Sequence, residues 1–307
     1  MVRKYSAFLA LAGLLAGCNG TIGGGSTPPP VVIIQHLYVG NDNTPGTVQA
    51  YTLPITAAST AAFAFASNNV VSIGLDANND ALVGDNAGHL QFFTAPLSAT
   101  STPSVTFNNG TASNNGQIVF NLGGQVFVAN VSTAVNLFTP PFTNSSAPST
   151  VVSGGLVSSI GDVLDNLGNL YVANAGTGGG TGSDVEVFAS PYTGAPAVTT
   201  PNVAATAYRK MAGSGSTLYV CSVAGATGRI DAYGLPLTNT SAPAFAITTG
   251  VNVPEAIAFD QNGNMYVGNL GNATITVYAP PFSAASAPTV TLTIPGAFAI
   301  FGIAIGK

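Results

Sequence analysis

One short pattern, an aromatic followed three residues later by a proline, returns six times along this 307-residue chain and leaves few folds open to it. The aromatics are Tyr51, Phe93, Phe138, Phe188, Tyr233 and Tyr278; the prolines are Pro54, Pro96, Pro141, Pro191, Pro236 and Pro281. Successive aromatics stand 42, 45, 50, 45 and 45 residues apart. A second motif runs ahead of each in fixed phase: LYVGN from Leu37, ALVGD from Ala81, VFVAN from Val126, LYVAN from Leu170, LYVCS from Leu218 and MYVGN from Met265. Such self-similarity means that one supersecondary unit is stacked repeatedly, because a single unit cannot bury its own apolar face.

Each unit reads as four short strands. Between Pro254 and Pro295, strand A spans Glu255–Asp260, a turn follows at Gln261-Asn262-Gly263-Asn264, and strand B is Met265–Asn269. Strand C is Thr274–Ala279 and strand D is Thr289–Thr293. Asn and Gly in the A–B turn supply the positive φ that a tight reversal needs, and the proline after strand C cannot donate to a ladder and so ends it. No apolar period of 3.6 residues runs for a helical length beyond the first residues. The class is all-β, and the period is that of a six-bladed β-propeller with four antiparallel strands per blade, over residues 31–307. The domain starts on a B strand (Leu37–Asn41) and ends on an A-like strand (Phe301–Ile305). Pairing these two closes the ring, places Ile303 beside Val39, and removes two open sheet edges.

The first residues read differently. Met1-Val2-Arg3-Lys4 is basic, Ala7 to Ala16 is apolar but too short to span a bilayer, and Leu15-Ala16-Gly17-Cys18 follows. That order resembles the lipobox of bacterial lipoproteins. The resemblance implies a signal peptide over residues 1–17 and a diacylglyceryl group on Cys18, which becomes the new N-terminus and joins the chain to a membrane. Residues 18–30 then form a lipidated cysteine with a Gly/Ser/Pro-rich tether. The expected location is the bacterial cell envelope, facing the periplasm or the exterior. Beyond the leader, four basic residues (Arg209, Lys210, Arg229 and Lys307) face eleven acidic ones, a formal balance of −7 that repels nucleic acid. With Cys18 committed, Cys221 stands alone within an apolar strand and reads as a buried thiol, outside any disulfide.

The run Phe259-Asp260-Gln261-Asn262-Gly263-Asn264-Met265-Tyr266-Val267 resembles NHL-repeat propellers, a likeness that extends over residues 31–307. This architecture hosts enzymes, adhesins and binding modules alike. Gluconolactonase-like propellers hold a divalent cation at the entrances of their A strands, where this chain has Val71, Gly116, Ile160, Tyr208 and Glu255. Glu255 alone cannot satisfy Ca²⁺, so no metal and no cofactor is expected. Streptogramin lyase-like propellers use histidines; here His36 precedes a B strand and His89 opens a C strand, which does not bring them together. The run Gly178-Gly179-Gly180-Thr181-Gly182 falls in a B–C loop and reads as the insertion that lengthens one repeat.

Two features remain as candidates. Asn41, Asp85, Asn130, Asn174, Ser222 and Asn269 end the six B strands and form a polar ring, suited to Asx-type capping or to holding a glycan or a weak cation. Counted from the A–B turn, one strand-A column reads Ile73, Ile118, Asp162, Lys210 and Ile257, which predicts a buried pair of Asp162 with Lys210 and Arg209 as the alternative partner. The favoured expectation is a monomeric, membrane-tethered, non-enzymatic module that binds a protein, peptide or glycan. The alternatives are a propeller-type hydrolase or lyase using Asp162, Lys210, Arg209 and Glu255 in the central channel, and a structural surface-layer component.

Overall fold

The computed structural model describes residues 34–43, 45–110, 114–176, 182–297 and 299–307. Its strands form six antiparallel sheets. Blade 1 joins the two ends of the chain: Ile300–Gly306 is its strand A, followed by His36–Asn41, Gly46–Thr52 and Phe63–Ser67. Val39 lies opposite Ile303, as ring closure requires. The A strands of the other blades are Val70–Leu75, Ile118–Phe120, Ser159–Leu164, Ala207–Ser214 and Pro254–Phe259. Each A strand contacts the next, and the last returns to the first, so the six line a closed central channel. Blade 4 departs slightly, with an extra two-residue strand, Val203–Ala204, paired to its strand C. The glycine run at 178–181 and the segment 1–33, including Cys18, lie outside the described residues.

The repeated motifs now acquire physical meanings. Strand B is apolar at consecutive positions because both faces of each blade are covered: Leu37 and Val39 pack against blade 6, whereas Tyr38 packs against blade 2. Every motif aromatic enters the interface with the preceding blade, as Phe93 does between blades 1 and 2 and Tyr278 between blades 5 and 6. Burying one such ring stabilises an interface by a few kcal/mol, of order ~3 on truncation to Ala. All six following prolines have cis peptide bonds. Beyond five of them a Thr or Ser backbone N–H donates to a serine three residues on, as Thr56 does to Ser59 Oγ at 2.8 Å and Ser283 to Ser286 Oγ at 2.9 Å; blade 4 has Pro196 at the serine's place.

The Asp of the A–B turn is its organiser. Asp260 Oδ1 accepts from the backbone N–H groups of Asn262 and Asn264, both at 2.9 Å, and Oδ2 accepts from Asn264 Nδ2 and Tyr266 Oη. Asp165 does the same with Leu167, Asn169 and Tyr171. Gly263, at φ 78°, takes the left-handed position of that turn. These turns lie on one face of the ring, here the turn face; the B–C and D–A loops lie on the opposite, loop face.

Candidate functional site

Strand A of blade 6 carries a bulge. Pro254 pairs with Asn269 and Ala256 with Gly268, which leaves Glu255 without a ladder partner. The same irregularity recurs in blades 1, 2, 4 and 5 and isolates Phe301, Val71, Ile160 and the segment Arg209-Lys210. A bulge re-aims side chains and backbone groups, and here it does so at the loop-face start of each of these A strands, around the channel mouth.

Three charged groups meet there. Arg209 Nε stands 3.4 Å from Glu255 Oε2, and Lys210 Nζ stands 4.0 Å from Glu255 Oε1. Lys210 Nζ also donates to Val71 O at 2.9 Å and to Phe301 O, so one ammonium ties blade 5 to the bulges of blades 2 and 1 across the channel. Burial pushes the Glu255 carboxyl up, with Lys210 and then Arg209 opposing; burial pushes the Lys210 ammonium down, with Glu255 opposing most strongly. Arg209 keeps 31% of its side chain exposed, whereas Lys210 and Glu255 are buried. Arg209 Nε and Glu255 Oε2 make no hydrogen bond among the described residues despite their proximity. The mouth therefore holds a buried carboxylate and an accessible guanidinium that no hydrogen bond locks together.

The expected pair of Asp162 with Lys210, or with Arg209, does not form. Both cations pair with Glu255, and both carboxylate oxygens of the fully buried Asp162 lack a hydrogen-bond partner among the described residues. Burial holds this carboxyl well above the usual carboxylate range, and Lys210 opposes that shift. The reason for the miss is a count of one. Blades 2, 4 and 6 place five residues between the first residue of the strand-B motif and its strand-A partner, as in Leu75 with Ala81, whereas blade 5 places four at the equivalent pair, Gly213 with Leu218, and runs its ladder on to Ser214 with Thr217. The register column is consequently Ile73, Ile118, Asp162, Met211, Ile257 and Ile303, with Lys210 one residue above it. The same shift puts Arg209, not Tyr208, at the bulge of blade 5.

Gln117 was not singled out from sequence. Its Nε2 donates to Met211 O at 2.7 Å, and its Oε1 accepts from Met211 N at 2.8 Å and Asp162 N at 3.3 Å. This amide from blade 3 grips the backbone of blade 5 as a further strand would. Its register column is otherwise Ser72, Gly161, Lys210, Ala256 and Gly302, so only Gln117 and Lys210 are long enough to bridge the channel. Alignment on the B-strand pairing, in place of the turn, is the signal that would have found it. Small neighbours are needed here: a Cβ on Gly161 would lie 2.5 Å from Arg209 O. At these two bridges lies a cavity of about 160 Å³ whose lining combines Ser72, Gln117 and Lys210 with Ile73, Ile118, Ile257, Ile303 and Ile305.

The polar ring is occupied by local bonds. Asn174 Oδ1 accepts from Val157 N and Ser158 N, and its Nδ2 donates to Asp184 and Glu186. Asn269 accepts from Asn252 N and donates to Thr274 and Thr276. Asp85 accepts from the N–H groups of Ala87 and His89, Asn41 donates to Gly296 O, and Asn130 accepts from Ser132 Oγ. Ser222 is too short for these ties, and its buried Oγ has no hydrogen-bond partner among the described residues. His36 lies at the turn-face end of blade 1, its ring against Tyr38 and Phe63. His89 lies at the loop-face end of blade 2, 2.8 Å from Asp85. Cys221 is buried with a free thiol whose pKa burial raises.

No protein-family model matches the chain, and no curated protein matches it by sequence. Solved structures do match in fold. A Pseudomonas aeruginosa periplasmic gluconolactonase is 14% identical, with a TM-score of 0.61 over 90% of this chain and 99% of its own. A Bacteroides fragilis protein proposed to be a 6-phosphogluconolactonase is 11% identical, with a TM-score of 0.66 over 92% of this chain and 100% of its own. A Lactobacillus plantarum protein is 14% identical, with a TM-score of 0.61 over 90% and 100%. The expectation of a non-enzymatic binding module is corrected by these neighbours, two of which carry lactonase names, and by the charged groups gathered at the channel mouth. The chain is a six-bladed β-propeller, and proteins bearing the names gluconolactonase and 6-phosphogluconolactonase are among its structural neighbours.

Proposed function

We propose that this chain is a propeller-type hydrolase that opens a small cyclic ester, of the sugar-lactone class, at the loop-face mouth of the channel. The observation that carries this reading is the trio Arg209, Lys210 and Glu255, a buried carboxylate beside an accessible cation. Glu255 takes a proton from water as its oxygen bonds to the lactone carbonyl carbon. The Arg209 guanidinium faces the charge that develops on the carbonyl oxygen, where low dielectric strengthens the interaction. The ring C–O bond then breaks, and the protonated Glu255 returns its proton to the departing alkoxide, giving the open hydroxy acid. Lys210, held by Val71 O and Phe301 O, positions Glu255. Because burial raises the Glu255 pKa, kcat/KM should rise with pH through that raised value, as the base loses its proton.

A pH-stat assay with glucono-1,5-lactone tests the reading. Saturable acceleration over the spontaneous rate is expected, falling roughly 100-fold or more in Glu255→Gln. Wild-type protein no faster than buffer would sink it.

The same reading places the protein outside the cytoplasm as a monomer built of NHL-type repeats. The periplasmic name of the Pseudomonas neighbour supports the compartment, and the Leu15-Ala16-Gly17-Cys18 run supports a lipid anchor on Cys18 followed by the 19–30 tether. Incorporation of labelled palmitate, lost in Cys18→Ser, is the direct check.

A further inference from the structure

The tips of the A–B turns in blades 3 and 4 break the repeat in a direction that solvation opposes. Leu122 is fully exposed, at 101%, and Leu167 is exposed at 87%. At the equivalent tip positions blade 6 has Gln261 and Asn262, and blade 2 has Ala77 and Asn78. Neither leucine completes a core, since the turns are already organised by Asn121 and Asp165 through backbone N–H groups. Between the two tips runs a groove of about 590 Å³ with Phe120, Leu164 and Tyr192 in its walls. A second cleft of about 310 Å³ adjoins it on the far side of Leu164. Contiguous exposed apolar surface of this kind marks a contact with something outside the domain.

What covers it is indicated by where the chain enters. Gln35 accepts from Gln261 N in the A–B turn of blade 6, and Gln35 O accepts from Leu53 N, so the segment leading from Cys18 arrives on the turn face. The exposed Ile34 stands at that point. Fifteen residues lie between Cys18 and Ile34, so Ile34 can stand no farther than roughly 55 Å from the cysteine even at full extension. A lipid on Cys18 therefore keeps the turn face within reach of the bilayer surface at high effective concentration. We infer that the turn face, led by Leu122 and Leu167, rests on the membrane, with the two side chains inserted at the level of the headgroups. This rests on lipidation of Cys18, and adds to it an orientation in which the channel mouth bearing Glu255 faces away from the bilayer. The carboxylates of Asp76, Asp80, Asp165 and Asp260 on the same face outnumber its cation Lys307, which favours a zwitterionic over an anionic surface.

The chain has no tryptophan, so Leu167→Trp and Leu122→Trp each provide a single reporter in the full-length, lipidated protein. On phosphatidylcholine vesicles, both reporters should shift to the blue and be quenched by brominated acyl chains, more weakly when phosphatidylglycerol is added. A tryptophan replacing Thr227 on the loop face should do neither. Emission that remains water-like while the protein sediments with the vesicles would overturn the orientation and leave the anchor standing. Failure to sediment with vesicles would remove both. A concentration-dependent blue shift without lipid, accompanied by a dimer in sedimentation velocity, would assign the patch to a second copy instead and overturn the proposal.

Discussion

Blades 5 and 6 are neighbours with the same four-strand order, yet they obey the repeat to very different degrees. Blade 6 keeps the Asp260-organised turn, the Asn269 amide that ties the D–A loop and strand C to strand B, and Ile257 in the channel wall. Blade 5 has a turn one residue shorter, Ser222 in place of the amide, and Arg209-Lys210 at its bulge. Blade 6 shows what the architecture needs, and blade 5 shows what it tolerates once the neighbours hold it. Its buried Lys210 survives because two backbone carbonyls and Glu255 surround the ammonium, a contribution only a closed ring can assemble. Departures from a repeat are therefore the places to seek chemistry, whereas adherence reports packing.

The largest test of that contrast is Lys210→Met. It leaves Glu255 buried with Arg209 as its remaining ion-pair partner and strips Val71 O and Phe301 O of their donor. A loss of roughly 3 kcal/mol in urea unfolding is expected; a loss no larger than a surface substitution gives would mean that the ammonium is not part of the ring closure. Next comes Asp162→Ile, which restores the residue of blades 1, 2, 3 and 6 at a site where the carboxyl has no hydrogen bond. A gain of about 1–2 kcal/mol at neutral pH is expected, since an unpaired polar group is removed from the interior. The pH dependence sharpens this. The folded-state pKa of Asp162 is raised, so its contribution to stability is fully present below the ordinary value of 3.8 and is lost as pH rises through the folded-state value. Thermal melts of the wild type should show that decline, and those of Asp162→Ile should lack it. The smallest effect is the turn: Asp260→Ala in blade 6 should cost about 1–2 kcal/mol, against about 0.5 or less for Ser214→Ala in blade 5. Equal costs would show that the shorter turn carries an organiser of its own.

Sheet number, strand order and the closing pair Val39 and Ile303 were legible because the repeat specifies them locally, six times over, so an error in any one unit is corrected by the others. The candidate site was legible only in its cast. Arg209, Lys210, Asp162 and Glu255 were all singled out, but Asp162 was paired wrongly and Gln117 was passed over, because one missing residue in the blade 5 turn shifts the strand-A register. The sequence by itself determined the aromatic and apolar positions that fill each blade interface, since these depend on periodicity alone. Which cation meets which carboxylate was decided by the tertiary structure. Partners across the channel, such as Lys210 and Val71, are 139 residues apart and meet only when the ring is complete. Their pairing depends on the angular order of the blades and on a bulge that no local pattern announces.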